Sequence, residues 1–281
     1  MTEIPPSSSV RLRAPPRLPI APFRPGMPPG RSLRDFHLCA LAGLLLVLAL
    51  VLGPLGSAGG VAQALPLAGY ALLVAVARVG LARGYPHPRF GACNAVTFLR
   101  ATGVAGLTAV LALPGPPMGG WLVPGVAAAI LSLDGIDGWL ARRAGRCSAF
   151  GARFDMETDA ALALVLAALI WQAGLAGPWV LWLGLARYGF VGAGRIWPWL
   201  RAPLPPRWRR KAGCVVQIGA LVLALLPGLP AAAVQAALVV AAAMLVWSFG
   251  ADVAWLRRHG PVPGQARRGT SSASAAGNRA A

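Results

Sequence analysis

The sequence predicts an all-α fold, a polytopic membrane helix bundle of about eight spans, and three observations predict it. Hydrophobic residues make up 57% of the 281 and charged residues only 12%, whereas soluble domains are roughly a quarter charged. Apolar runs of roughly the 17 to 25 residues needed to cross the hydrocarbon core recur along the chain. The connections between those runs alternate between Arg-rich and uncharged, the pattern left by cytoplasmic retention of Lys and Arg.

Residues 1 to about 35 hold nine prolines and six arginines. Such a segment buries too little apolar surface to offset its ordering entropy, so it is expected to be a disordered basic tail, as is the Ser/Ala/Gly-rich stretch 259–281. Between the tails the expected spans are 38–57, 62–82, 94–113, 119–141, 152–174, 176–194, 212–228 and 231–256. Ala62-Gln63-Ala64 after the first run resembles a signal-peptide cleavage site. The polar region ahead of that run is longer than a signal peptide's, and the run itself is long enough to span, so it is read as a retained helix.

Connections 114–118, 172–178 and 226–231 carry no charge, while Arg83 with Arg89, the segment 142–153, the segment 195–211 and Arg257 with Arg258 fall on alternate connections. Both termini are therefore expected on the cytoplasmic side, in a bacterial inner membrane. The formal charge of +18 reads as this topology patterning rather than as a nucleic-acid footprint, and no nucleic acid is expected as a partner. Four scattered cysteines with no CxxC pair and no histidine at ligand spacing point to neither zinc nor a disulfide framework.

Five of the eight acidic residues, Asp134, Asp137, Asp155, Glu157 and Asp159, fall within 26 positions flanked by apolar helix. A carboxylate at helix-centre depth costs on the order of 2.5 to 3.5 kcal/mol on insertion scales, so the cluster implies a compensating cation, water or partner. Asp134, Asp137 and Ala141 share one helical face, and Gly151, Asp155 and Asp159 share a face of the next helix. The stretch between them, with Gly145, is short enough for a tight turn, so four carboxylates converge near the cytoplasmic surface. Hard oxygen ligands suit Mg²⁺ or Mn²⁺, which would clamp a diphosphate and leave one carboxylate to take a proton from an attacking hydroxyl. Gly138, Ala141 and Gly151 leave room for a nucleotide, and Arg142 offers a fork of donors to phosphate. Glu157, two residues off the Asp155/Asp159 face, is expected to point away from the metals.

The run Asp134-x2-Asp137-Gly138-x2-Ala141-Arg142-x8-Gly151-x3-Asp155-x3-Asp159 resembles the signature of the CDP-alcohol phosphatidyltransferases at every fixed position and gap. Asn94-x2-Thr97-x2-Arg100 is similar to the segment that opens the family's first core helix. The resemblance implies a six-helix core at 91–258, preceded by two additional helices at 36–90. It implies a homodimer, a two-metal site, and a CDP-linked lipid donor such as CDP-diacylglycerol, with transfer to an alcohol acceptor and release of CMP in phospholipid biosynthesis. Asp134, Asp137 and Asp155 would ligate metal; Asp159 would be both ligand and catalytic base. Gly138, Ala141, Arg142 and Gly151, with Asn94 and Thr97, would line the CDP site.

Two departures stand out: Cys93 replaces a common proline, and Asp155-Met156-Glu157-Thr158-Asp159 matches neither of two familiar acceptor-specific variants. The acceptor is therefore left open. Arg100, Arg195 and Lys211 are candidates for phosphate contacts, against the plainer reading of snorkelling and positive-inside anchors. A membrane prenyltransferase would place two aspartate motifs on well-separated helices. A cation or proton transporter would spread its acids through the bilayer or repeat them. This chain gathers them in one hairpin.

Overall fold

The computed structural model describes residues 30–56, 58–83, 85–113, 120–144, 148–202, 204 and 208–259. The expected tails over 1–29 and 260–281, with Gly145 and Cys147, lie outside the described residues. Among the described residues the chain is all-helical, with α1 (Gly30–Leu52), α2 (Gly60–Ala82), α3 (Gly91–Leu107), α4 (Leu122–Arg143), α5 (Ala149–Gln172), α6 (Leu181–Ile196), α7 (Trp208–Ala224) and α8 (Ala231–His259). A 3₁₀ segment, Thr108–Ala112, prolongs α3.

Five of these are long and apolar enough to cross a membrane: α1, α2, α3 with its extension, α4 and α8. The expectation of eight spans is met in helix number but not by that measure in all eight. The physical reason differs by helix. α5 carries Arg153, Asp155, Glu157 and Asp159 in its first half, and α6 and α7 have only 16 and 17 residues.

α1 starts at Gly30, upstream of the boundary at about residue 35 that composition suggests. Its polar residues find partners there: the Asp35 carboxylate accepts from the Phe90 amide at 3.3 Å. Next to it Phe36, fully buried, meets Phe90 and Phe98 edge-on with ring centroids 5.7 Å apart in both pairs, the geometry aromatic quadrupoles favour. The Tyr70 hydroxyl donates to the Ala40 carbonyl and ties α2 to α1. The two N-terminal helices are thus packed onto the entry of α3.

α5 is the central element. One apolar cluster joins it to α4, α6, α7 and α8, and a second joins its first turns to α1, α2 and α3. Leu162, Leu166, Leu169 and Ile170 are wholly buried, which is why the helix is apolar all round beyond the acids. Ser148 starts it by accepting from the Gly151 amide at 3.0 Å, a side-chain N-cap. Gly174 ends it at φ 70°, where a residue with a Cβ would be strained, and Leu175 donates back to the Ile170 carbonyl at 3.1 Å, the closing bond of a Schellman turn.

Small residues set the closest helix approach, as expected where apolar lipid gives no hydrophobic drive between helices. A Cβ on Gly184 of α6 would stand 2.4 Å from the Leu164 Cα of α5. Gly184→Ala should therefore lower the melting temperature in detergent, by an overpacking cost of about 1 to 3 kcal/mol that outweighs the better helix propensity of alanine. Gly189→Ala on the same helix has nothing within 4 Å and should melt at or slightly above the parent. Equal melting of all three proteins would contradict this packing.

Candidate active site

The site forms where three helices bring polar faces together. α3 contributes Asn94, Thr97 and Arg100, α4 contributes Asp134 and Asp137 just before its Arg142–Arg143 end, and α5 contributes Asp155 and Asp159. The Arg100 guanidinium, 0% exposed, is the hub. Its Nη1 lies 2.9 Å from Asp134 Oδ1, 2.8 Å from Asp137 Oδ2 and 2.6 Å from Asp155 Oδ1, and its Nη2 lies 2.5 Å from Asp159 Oδ1. Nε donates to the Ile130 carbonyl of α4 at 3.1 Å. The Thr97 hydroxyl reaches Asp137 Oδ2 at 2.8 Å.

Four carboxylates against one guanidinium leave three negative charges uncompensated. Asp134, Asp137 and Asp155 each offer an oxygen, all within 4.8 Å of one another. Asp134 and Asp155 are 29% and 37% exposed, so an ion can reach them, while Asp137 and Asp159 lie deeper. An all-oxygen, strongly anionic donor set of this kind fits Mg²⁺ or Mn²⁺. Asp159 stands apart from that trio: it is joined to it through Arg100, and its Oδ2 accepts from the Cys214 thiol of α7 at 3.5 Å.

Two cavities flank the cluster. The first, about 170 Å³, is walled by Asp137 and Asp155 together with Asn94, Thr97, Gly138, Ala141, Arg142 and Gly151, so the structure gathers in one place the six residues that the sequence assigns to a nucleotide. The glycines shape it. A Cβ on Gly138 would lie 3.3 Å from Arg142 Nη1, because the arginine folds back over its own helix, and one on Gly151 would lie 3.0 Å from Asn94 Oδ1. Asn94 Nδ2 is engaged elsewhere, donating to the Phe90 carbonyl at 2.6 Å and the Tyr85 hydroxyl at 2.7 Å, which turns its oxygen toward Gly151.

The second cavity, about 260 Å³, lies between α5, α6, α7 and α8 and has Asp159 and Cys214 in its wall. Its other charged groups are Arg187, Arg210 and Asp252. Arg187 also holds Glu157 at 2.5 Å, which places Glu157 away from the other acids, as its offset predicts. Asp252 pairs with Arg209.

Arg100 is buried beneath the carboxylates rather than on a cavity wall. Arg195 and Lys211 are exposed and line neither cavity. The arginines facing the second cavity are Arg187 and Arg210, which the sequence does not single out from their basic neighbours. Asp252 and Cys214 escape a sequence reading as well. Asp252 had a signal, being a lone acid in the last apolar run of the chain; Cys214 had none.

No curated protein and no solved structure matches the chain. The family model described as CDP-alcohol phosphatidyltransferase matches residues 90–248, more than half of the sequence, and its match begins at α3 and takes in every aspartate of the cluster. Helix faces, donor set and match agree, and the chain belongs to the CDP-alcohol phosphatidyltransferase family.

Proposed function

We propose that this protein transfers a phosphatidyl group from a CDP-linked lipid such as CDP-diacylglycerol to an alcohol, releasing CMP, as a step of phospholipid biosynthesis. One observation carries the reading. Three of the four clustered aspartates face two separate cavities, Asp137 and Asp155 the one lined by the expected nucleotide residues and Asp159 the other.

The division assigns the roles. The CDP moiety occupies the first cavity, its diphosphate beside Asp137 and Asp155 and within reach of Arg142. Asp134, Asp137 and Asp155, with Asp159 as a further ligand, hold two divalent cations, Mg²⁺ or Mn²⁺. Bound there, such ions supply charge neutralisation on the diphosphate and stabilise the leaving CMP. The acceptor enters the second cavity and presents its hydroxyl to Asp159, which takes the proton as the acceptor oxygen bonds to the phosphorus bearing the lipid. The phosphoanhydride bond to CMP breaks in the same displacement, and CMP departs with the electron pair.

All eight helices span the membrane in this reading, the acid-bearing turns of α5 lying at the surface where the cavity opens. Short connections make successive helices antiparallel, which collects the basic segments after α2, α4, α6 and α8 at one end together with the aspartates. That end is cytoplasmic by the positive-inside rule, with both termini, in a bacterial inner membrane. We take the assembly to be a homodimer, as the family resemblance implies.

Detergent-purified protein supplied with CDP-diacylglycerol, Mg²⁺ or Mn²⁺ and a panel of alcohols should release CMP with at least one of them; the absence of CMP with every acceptor would overturn the assignment. Asp159→Asn should lower turnover by about a hundredfold or more, the usual size of a lost general base, while Mg²⁺-supported CDP binding survives. Turnover like that of the parent in this variant would remove Asp159 as the base.

A further inference from the structure

Among the described residues Arg100 touches all four aspartates, and the way it touches them is selective. Its approach to each carboxylate is through one oxygen in particular: Asp134 Oδ1, Asp137 Oδ2, Asp155 Oδ1 and Asp159 Oδ1. Thr97, the other donor from α3, uses the Asp137 oxygen that Arg100 already uses, so the second Asp137 oxygen is spared. Resting on the metal-centre reading above, we infer that Arg100 is the positioning residue of that centre: it grips one oxygen of each aspartate and thereby presents the other to the divalent ions.

The chemistry of the side chain explains why an arginine stands here. A guanidinium is planar, permanently charged and carries five N–H donors in a rigid fork. Nε is pinned to the Ile130 carbonyl at 3.1 Å, one helical turn before Asp134, which fixes the plane of the fork relative to α4. Nη1 then spans Asp134, Asp137 and Asp155, and Nη2 reaches Asp159. The group is wholly buried, so water does not compete for its donors, and it lines neither cavity. It therefore acts on the aspartates and not on a substrate phosphate.

Three carboxylates converging on one small volume repel one another, and without a shared partner they would rotate apart or turn toward solvent. Arg100 holds them converged before any ion arrives, at the cost of its own repulsion toward that ion. Groups that orient metal ligands in this way are commonly worth about ten- to a hundredfold in metal affinity. Lysine keeps the charge, and with it the repulsion, but replaces the fork by a single ammonium that can stand in for Nη1 or for Nη2 and not for both, so that either Asp159 or the trio, together with the Ile130 carbonyl, loses its donor. Arg100→Lys thus separates orientation from charge.

The test is a Mn²⁺ titration of the detergent-purified protein followed by electron paramagnetic resonance, with melting measured in parallel. The Arg100→Lys protein should bind Mn²⁺ about ten- to a hundredfold more weakly than the parent, and saturating Mn²⁺ should restore CDP binding. Parental Mn²⁺ affinity in a folded Arg100→Lys protein, with only its melting temperature lowered, would reduce Arg100 to a structural ion pair and overturn the inference while leaving the metal centre standing. Failure of the parent itself to bind Mn²⁺ would remove both. Should Arg100→Lys not fold, Thr97→Val reports on the same device from the Asp137 side: a severalfold loss of Mn²⁺ affinity is expected, and an unchanged affinity overturns it.

Discussion

The grip of one buried guanidinium on four carboxylates is the constraint around which this molecule is arranged. Drawing that many charges together, two of the carboxylates deeply buried, is tolerable only when they are hydrogen-bonded to a shared cation. The pairing draws one side chain from α3 and two each from α4 and α5 into a single knot. Those helices are therefore fixed to one another at the end where the cavities open. The apolar clusters above and beside the knot hold the rest of the bundle but carry no comparable specificity of register.

Around the knot, small residues and paired charges decide what may enter. Gly138 and Gly151 keep side chains out of the first cavity, and Arg142 folds over the first of them. Across the cluster, Asp159 and Cys214 begin a chamber whose arginines are already answered by carboxylates, Arg187 by Glu157 and Arg210 across a longer gap of 3.9 Å by Asp252. The aspartate cluster forms the boundary between the two chambers, with Asp137 and Asp155 on one side and Asp159 on the other. A displacement that joins two substrates at one phosphorus needs such a shared boundary.

Much of this was legible in the sequence because helical periodicity is a short-range rule. Spacings of three and four place Asp134 with Asp137 and Asp155 with Asp159 on single faces, and a short connection between the two helices brings those faces together. What stands opposite a face is a long-range fact that periodicity does not encode. Arg100 illustrates it: a phosphate and a carboxylate cluster are both anionic, so the residue type suits either, and only the packing of α3 against α4 and α5 selects the aspartates. Arg195 and Lys211 sit on the same two helices as Arg187 and Arg210, yet it is the latter pair that line the second cavity. The start of α1 at Gly30 shows the same limit, since Ser32 and Asp35 look like tail residues, yet Ser32 is buried and Asp35 accepts from the Phe90 amide.

Without divalent ions, four ionised carboxylates around one guanidinium would carry a formal excess of three negative charges and repel a diphosphate; bound divalent ions would reverse that sign. The most direct measurement is the binding of CDP to the purified protein with Mg²⁺ and again with the divalent ions removed by EDTA. CDP should bind in the first case and escape detection in the second, at nucleotide concentrations that saturate the loaded protein. Equal binding in both, or tighter binding in EDTA, would contradict a metal-mediated hold on the donor.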